Sequence, residues 1–285
     1  MRGHAYWDGG LTRWNTRWNI RPCLAALTPL SLPRDPLFAY ITTRSVQRRP
    51  VSRRLLTPRE KSALEASVGN LYKIVWLDGA AAKWQVAKLL RDNAQLRLSI
   101  KEAYEVHKRI FDWGKQFSVD KIPDQSLGAD FLTLKLMRWV LGSWPRVKFF
   151  NKFLAGTLMP RIQLDLLPAL GCGAHFALVS AQGLETMDDY LASGRALQRF
   201  WLTATGFGLQ LQPEMTPLIF SRYARTQRNF SSAEGAMQHA QRINQGLEAL
   251  IGDAVKQRTA FFGRIGQGKT ARSRSLRLPL PRLMR

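Results

Sequence analysis

The sequence predicts an α+β fold, and three observations lead there. Four runs of strand length, at 71–77, 174–181, 209–213 and 258–266, are interspersed among longer stretches with helical periodicity. The chain has 285 residues, enough for one large domain or two small ones with a sizeable core. Its composition is 45% hydrophobic, with nine Trp and fourteen Phe, which excludes a disordered chain.

Taken in order, residues 1–38 read as a basic arm or linker in which Pro33 and Pro36 disfavour helix, and 39–285 as one domain. A short helix is expected from Leu37. Thr57, Pro58 and Glu60 spell an N-cap, an N1 proline and a capping box, and Gly69–Asn70 ends that helix. The strand at 71–77 follows. Asp78 is the expected cap of a long helix carrying Ala82, Val86, Leu89, Leu90 and Leu96 on one face. Ser99 and Glu102 suggest a second capping box. Residues 118–130 read as a loop, and 131–144 and 148–159 as helices. The strand at 174–181 reads as buried. The helix over 186–207 has the clearest periodicity, and Gly194 in its middle predicts a close packing contact, since a mid-helix glycine costs about 1 kcal/mol against Ala. Helices are expected near 216–225 and 234–252, and the last fifteen residues as an extended basic tail. No internal repeat is present.

Charge is concentrated at the ends. Of the net +23, residues 1–56 hold ten Arg against two Asp, and residues 254–285 hold nine Lys or Arg and no acid. Such a surface attracts polyanions, nucleic acid and anionic lipid among them. Solvated termini explain the same charge, and none of the common nucleic-acid recognition motifs occurs. The two cysteines, Cys23 and Cys172, form neither a CxxC nor a disulfide framework, and the four histidines are scattered, so no metal site is expected. Residues 166–184 are uncharged, but Pro168, Gly171, Gly173 and His175 interrupt them, which suits a buried turn and strand rather than a membrane span. A soluble cytoplasmic protein with no membrane partner is the expectation. Trp84, Trp139 and Trp201 are expected in the core.

One motif match is misleading. Gly263 to Thr270 fits G-x-x-x-x-G-K-[ST], the phosphate-cradling P-loop. That loop needs a helix directly after it, whose N-terminus faces the phosphates. "TARSRSLRLPLP" cannot supply one, and no later strand could deliver a magnesium-binding Asp.

Four segments in order resemble the flavin-dependent nitroreductase family. "TTRSVQRRPV" (42–51) resembles its R-R-S-x-R turn: Arg44 and Ser45 match, with Thr43 and Gln47 at the outer basic positions. "YLASGRALQRFWLTATGFGLQLQP" is similar to its central helix and exit. "QPEMTP" (212–217), with Pro213, Glu214 and Met215, resembles the loop whose amides approach the flavin N5. "SLRLPL" (275–280) is similar to the closing basic segment, with Arg277 matching. The resemblance implies a nitroreductase-like fold, with a central mixed sheet flanked by helices and a helical homodimer interface. It also implies FMN held by Arg44, Ser45, Gln47, Pro213, Glu214, Met215 and Arg277, with NAD(P)H as electron donor and a small-molecule substrate. The family's P-S-x-x-N-x-Q-P-W segment is missing here, and Asn70 reads as a helix C-cap. A non-catalytic nitroreductase-fold scaffold therefore stays open beside the oxidoreductase, as does a basic nucleic-acid-binding protein. The arm "WNTRWNIRPCLAALTPL" resembles a linker to an adenylating domain of the ubiquitin-activating kind, a possible partner.

Overall fold

The computed structural model describes residues 33–153 and 162–283. Most of the basic arm, Cys23 and the second half of the expected 148–159 helix lie outside them.

The first full helix, α1 (Pro58–Ser67), begins as its sequence dictates. Thr57 accepts from the Glu60 amide, and the Glu60 carboxylate accepts from the Thr57 amide. Leu64 and Val68 point inward from it. A four-stranded sheet forms the centre: β1 (Tyr72–Leu77), β5 (Ala174–Ser180), β7 (Thr259–Gln267) and β6 (Leu209–Pro213), in the order β1-β5-β7-β6. All three strand pairings within this sheet are antiparallel. A parallel bridge from Val46 to Leu211 on the β6 edge gives the sheet its mixed character.

Strand alternation sends side chains to two layers. On one face Phe176, Leu178, Phe261 and Ile265 pack against α1 and against α7 (Met187–Gly206), which brings Phe200, Trp201 and Ala204. On the other, Ala177, Val179 and Phe262 meet Val86, Ala87 and Leu90 of α2 (Ala80–Ser99). Beyond α2 lie α8 (Thr216–Arg225) and α9 (Ala236–Ile251), joined through Phe220, Ile243 and Leu247. Gly266 is a close approach: a Cβ there would sit 2.7 Å from the Gly173 amide nitrogen, so residue 266 must be bare for the turn after α6 (Leu167–Leu170) to reach β7.

Several local expectations need correction. Asp78 does not cap α2; Gly79 occupies the cap without a side-chain bond, and Asp78 pairs with Lys61 at 2.5 Å. Ser99 bonds back to the Leu96 carbonyl, and Ile100 stands at the N-cap of α3 (Lys101–Ile110). Glu102 instead holds Ser231 and Ser232, 129 and 130 residues on, because a tertiary partner displaced the local box. The 118–130 stretch is not all loop: it includes part of β3 (Phe117–Ser118), then β4 (Ile122–Pro123) and a 3-10 turn. β4 pairs with β2 (Phe111–Asp112), and β3 with β8 (Arg274–Ser275), so the expected extended tail is partly strand. Trp84 and Trp139 are exposed, whereas Trp201 is core as expected. Among the described residues a Cβ on Gly194 would meet nothing within 4 Å, so the close packing contact expected there is not found. Among the described residues no helix is long and apolar enough to cross a membrane.

Two helices stand apart from the sandwich. α4 (Phe131–Val140) and α5 (Trp144–Phe153) form a hairpin over the open end of the sheet, anchored by Asp130, which caps α4 through the Thr133 amide.

Candidate functional site

Sheet register assembles a buried charged cluster. β5 places His175 opposite Arg264 of β7, and β6 places Gln212 opposite the same Arg264. Just past the end of β6, Glu214 meets both neighbours: its Oε2 lies 2.8 Å from His175 Nδ1 and its Oε1 2.7 Å from Arg264 Nη1. His175 Nε2 faces the Ala169 carbonyl at 2.9 Å, and a carbonyl only accepts. Both ring nitrogens therefore donate, and the ring is imidazolium. Burial alone pulls the His175 pKa down, but the Glu214 charge and the hydrogen bonds to Cys172 and Glu214 raise it to about 10. Burial pushes the Glu214 carboxyl up, and the two cations beside it more than reverse that. Arg264 also donates to the Arg48 carbonyl at 2.7 Å, fixing the segment before α1 onto the sheet.

Glu214 and Arg264 of this cluster floor a cavity of about 540 Å³ between the sheet end, α2, α3 and the α4–α5 hairpin. Its walls are largely apolar, with Leu90, Tyr104, Ile110, Leu136, Val140 and Val147 among them. Three guanidinium groups, Arg48, Arg97 and Arg264, face two carboxylates, Asp165 and Glu214. Arg48 makes no ion pair among the described residues; it donates to the Ser126 carbonyl and hydroxyl, and burial with the nearby Arg264 charge pushes its pKa down to about 10. His107, also on the wall, is held neutral: burial and then the Arg97 charge lower its pKa to about 4. Three buried polar atoms on the wall, Asn93 Oδ1, Arg97 Nε and Gln212 Oε1, have no partner among the described residues. Left so in a filled interior, each costs about 1–3 kcal/mol. The N-terminus of α8 opens here as well, with Met215 at its cap and no side chain capping it.

A second polar corner lies at the start of the same segment. Arg277 donates to the Arg44 carbonyl at 3.2 Å, and Arg44 stacks 4.2 Å over the Trp201 ring. Burial and the Arg277 charge both lower the Arg44 pKa. Arg44 Nε and Ser45 Oγ are buried without a partner among the described residues.

The sequence-derived candidates thus divide. Arg44, Ser45 and Arg277 come together, and Pro213, Glu214 and Met215 line the cavity. Gln47 serves the backbone instead, donating to the Lys269 carbonyl at 2.8 Å and accepting from the Arg49 amide. The Glu214 amide is committed to the Phe262 carbonyl at 2.8 Å, which leaves Met215 and Thr216 as the backbone of that turn at the helix end. Arg48, Arg97, His107 and Arg264 were not singled out from sequence. Arg264 lies within the P-loop match, where the pattern drew attention to Gly263 and Lys269 and away from it. Within the described residues that match is a strand and its exit: Gly263 pairs with Phe176 and Pro213, and no helix begins before Leu280.

No family model matches the sequence, and no curated protein does. Among solved structures, the chain is similar to two nitroreductases or nitroreductase-like proteins. A nitroreductase-like family protein from Bacillus cereus is 13% identical, with a TM-score of 0.44, covering 89% of this chain and 97% of that one. The FMN-dependent nitroreductase NfnB from Mycobacterium smegmatis, in complex with NADPH, is 16% identical, with a TM-score of 0.46, covering 86% and 95%.

Proposed function

We propose that this chain binds FMN and acts as a nitroreductase-type oxidoreductase, taking electrons from an NAD(P)H-like donor and reducing a small-molecule substrate. The carrying observation is the Arg44–Arg277 corner: the Arg277 guanidinium donates to the Arg44 carbonyl, its charge and burial both lower the Arg44 pKa, and no ion pair to a carboxylate is formed by either among the described residues. Two neighbouring cations without a counter-charge call for an anion, and a phosphate with nearly two negative charges meets that need through charge-assisted hydrogen bonds. Ser45 Oγ and Arg44 Nε supply unused hydrogen-bonding capacity beside it.

The cavity suits the other half of the cofactor. Asn93 Oδ1 and Gln212 Oε1 offer acceptors to an imide N–H, and Arg97 Nε and Arg48 offer donors to ring carbonyls. The apolar walls exclude water, and the His175–Glu214–Arg264 cluster keeps the 212–216 turn rigid. Bound FMN supplies the two-electron hydride chemistry; the chain's residues bind, orient and shield. A homodimer completes this reading, with the outward face of α7, where Met187 and Leu191 are exposed around the open Gly194, as its contact.

A second reading has its own observation. Gln47 and the Glu214 amide, both expected to serve the flavin, are consumed by internal hydrogen bonds, which suits a nitroreductase-fold binding protein without cofactor. A visible absorbance spectrum after incubation with FMN and gel filtration separates the two. Retained flavin bands, lost in the Arg44→Ala/Arg277→Ala double variant, support the oxidoreductase. A colourless protein at every FMN concentration supports the scaffold.

A further inference from the structure

We propose that the α4–α5 hairpin seats the protein on an anionic lipid surface. The outer face of α4 carries Phe131, Leu132, Leu136 and Trp139; Phe131 is 67% exposed and Leu132 73%. With Lys135 among them, these residues recur at 131, 132, 135, 136 and 139, one contiguous stripe of a helix. Leu132 and Leu136 stand at the edge where the stripe turns into the cavity wall, which continues through Thr133, Met137 and Val140. Phe131 and Trp139 line no part of that cavity and stay exposed, so the domain's own interior does not cover them.

Charge identifies what covers it. From 131 to 164 the sequence has six Lys or Arg and no Asp or Glu. Lys135, Arg138, Arg146 and Lys148 are exposed. The Lys135 ammonium lies 4.5 Å from the Phe131 ring centre and the Arg146 guanidinium 4.8 Å from that of Trp139, so cations flank the apolar stripe. Exposed aromatic and leucine side chains bordered by cations fit the boundary between acyl chains and anionic headgroups, where the rings enter and the cations stay in the headgroup layer. A second copy fits less well at this face, because it would have to bring an acidic surface, and the chain carries net +23. Within the described residues each helix has ten residues, fewer than a membrane span needs, and the proposal places the hairpin in the surface plane. Because α4 is also a cavity wall, such seating sets the cavity roof against the membrane.

The test uses the full chain and sedimentation with vesicles of phosphatidylcholine alone or mixed with phosphatidylglycerol. Co-sedimentation with the mixed vesicles only, weakening as salt rises, is expected. The basic ends would also attract such vesicles, so the apolar variant decides. Phe131→Ser/Trp139→Ser leaves the charge unchanged and should lower partitioning about tenfold or more, with the circular dichroism spectrum retained. Lys135→Gln/Arg138→Gln, at exposed positions, should lower partitioning and flatten its salt dependence, and it decides alone if the first variant misfolds. Partitioning unchanged in the folded variants overturns the proposal. So does a wild type that ignores both vesicle types while the apolar substitutions convert a sedimenting dimer to monomer, which would assign the face to a second copy.

Discussion

Glu214 sits between two buried cations, and its removal leaves both without their counter-charge. Breaking a buried charged cluster from one side costs about 3–5 kcal/mol, so Glu214→Gln should lower the denaturant midpoint by that much of the unfolding free energy. His175, buried, and His107, on the cavity wall, make stability depend on pH in opposite senses. His175 has a folded pKa of about 10 against 6.5, so its contribution is full below pH 6.5 and is lost as pH rises towards 10. His107 has a folded pKa of about 4 against 6.5, so the folded state takes up its proton reluctantly and stability rises with pH across that interval. Urea unfolding at a series of pH values should therefore show an optimum near 6.5; His175→Asn should flatten the alkaline limb and His107→Asn the acid limb. At this scale the sequence named Glu214 for its backbone, and the structure uses its side chain. His175 read as an isolated structural histidine, and the fold gives it a carboxylate from 39 residues away.

Among the elements, α1 and α7 show how far local chemistry reaches. Thr57 and Glu60 form the box their spacing predicts, and Thr186 with Asp189 forms another at the start of α7. Thr57→Ala should cost about 1 kcal/mol, read as a lower thermal midpoint. The same reasoning failed at Ser99–Glu102, where the carboxylate bonds Ser231 and Ser232 instead. Capping chemistry is local only while no distant partner competes for the side chain. Strand periodicity was similarly reliable: β1, β5, β6 and β7 lie within a residue or so of the ranges their patterns predict. The short strands at 111–123 were not legible, because two-residue ladders have no period and exist only where β8 or a neighbouring turn supplies the pairing.

For the molecule as a whole, Gly194 is a sensitive probe. An exposed mid-helix glycine replaced by Ala should stabilise its helix by about 1 kcal/mol. If α7 is the homodimer contact proposed above, the added methyl should instead weaken association, raising the dimer dissociation constant in sedimentation equilibrium. A stabilised chain with unchanged association removes α7 from the interface. The sequence by itself determined the α+β class, the four main strands and the capped start of α1, since propensity, capping and period act over a few residues. It also exposed the P-loop match as empty, because a loop without its helix cannot hold phosphate. Only the tertiary structure decided that His175, Glu214 and Arg264 are one cluster, that Arg48 and Arg97 face a cavity, and that α4 turns an apolar stripe outward. Those facts depend on strand register and on which helix packs over which sheet end, and neither is encoded in any one segment. They arise when side chains far apart in sequence compete for the same buried space.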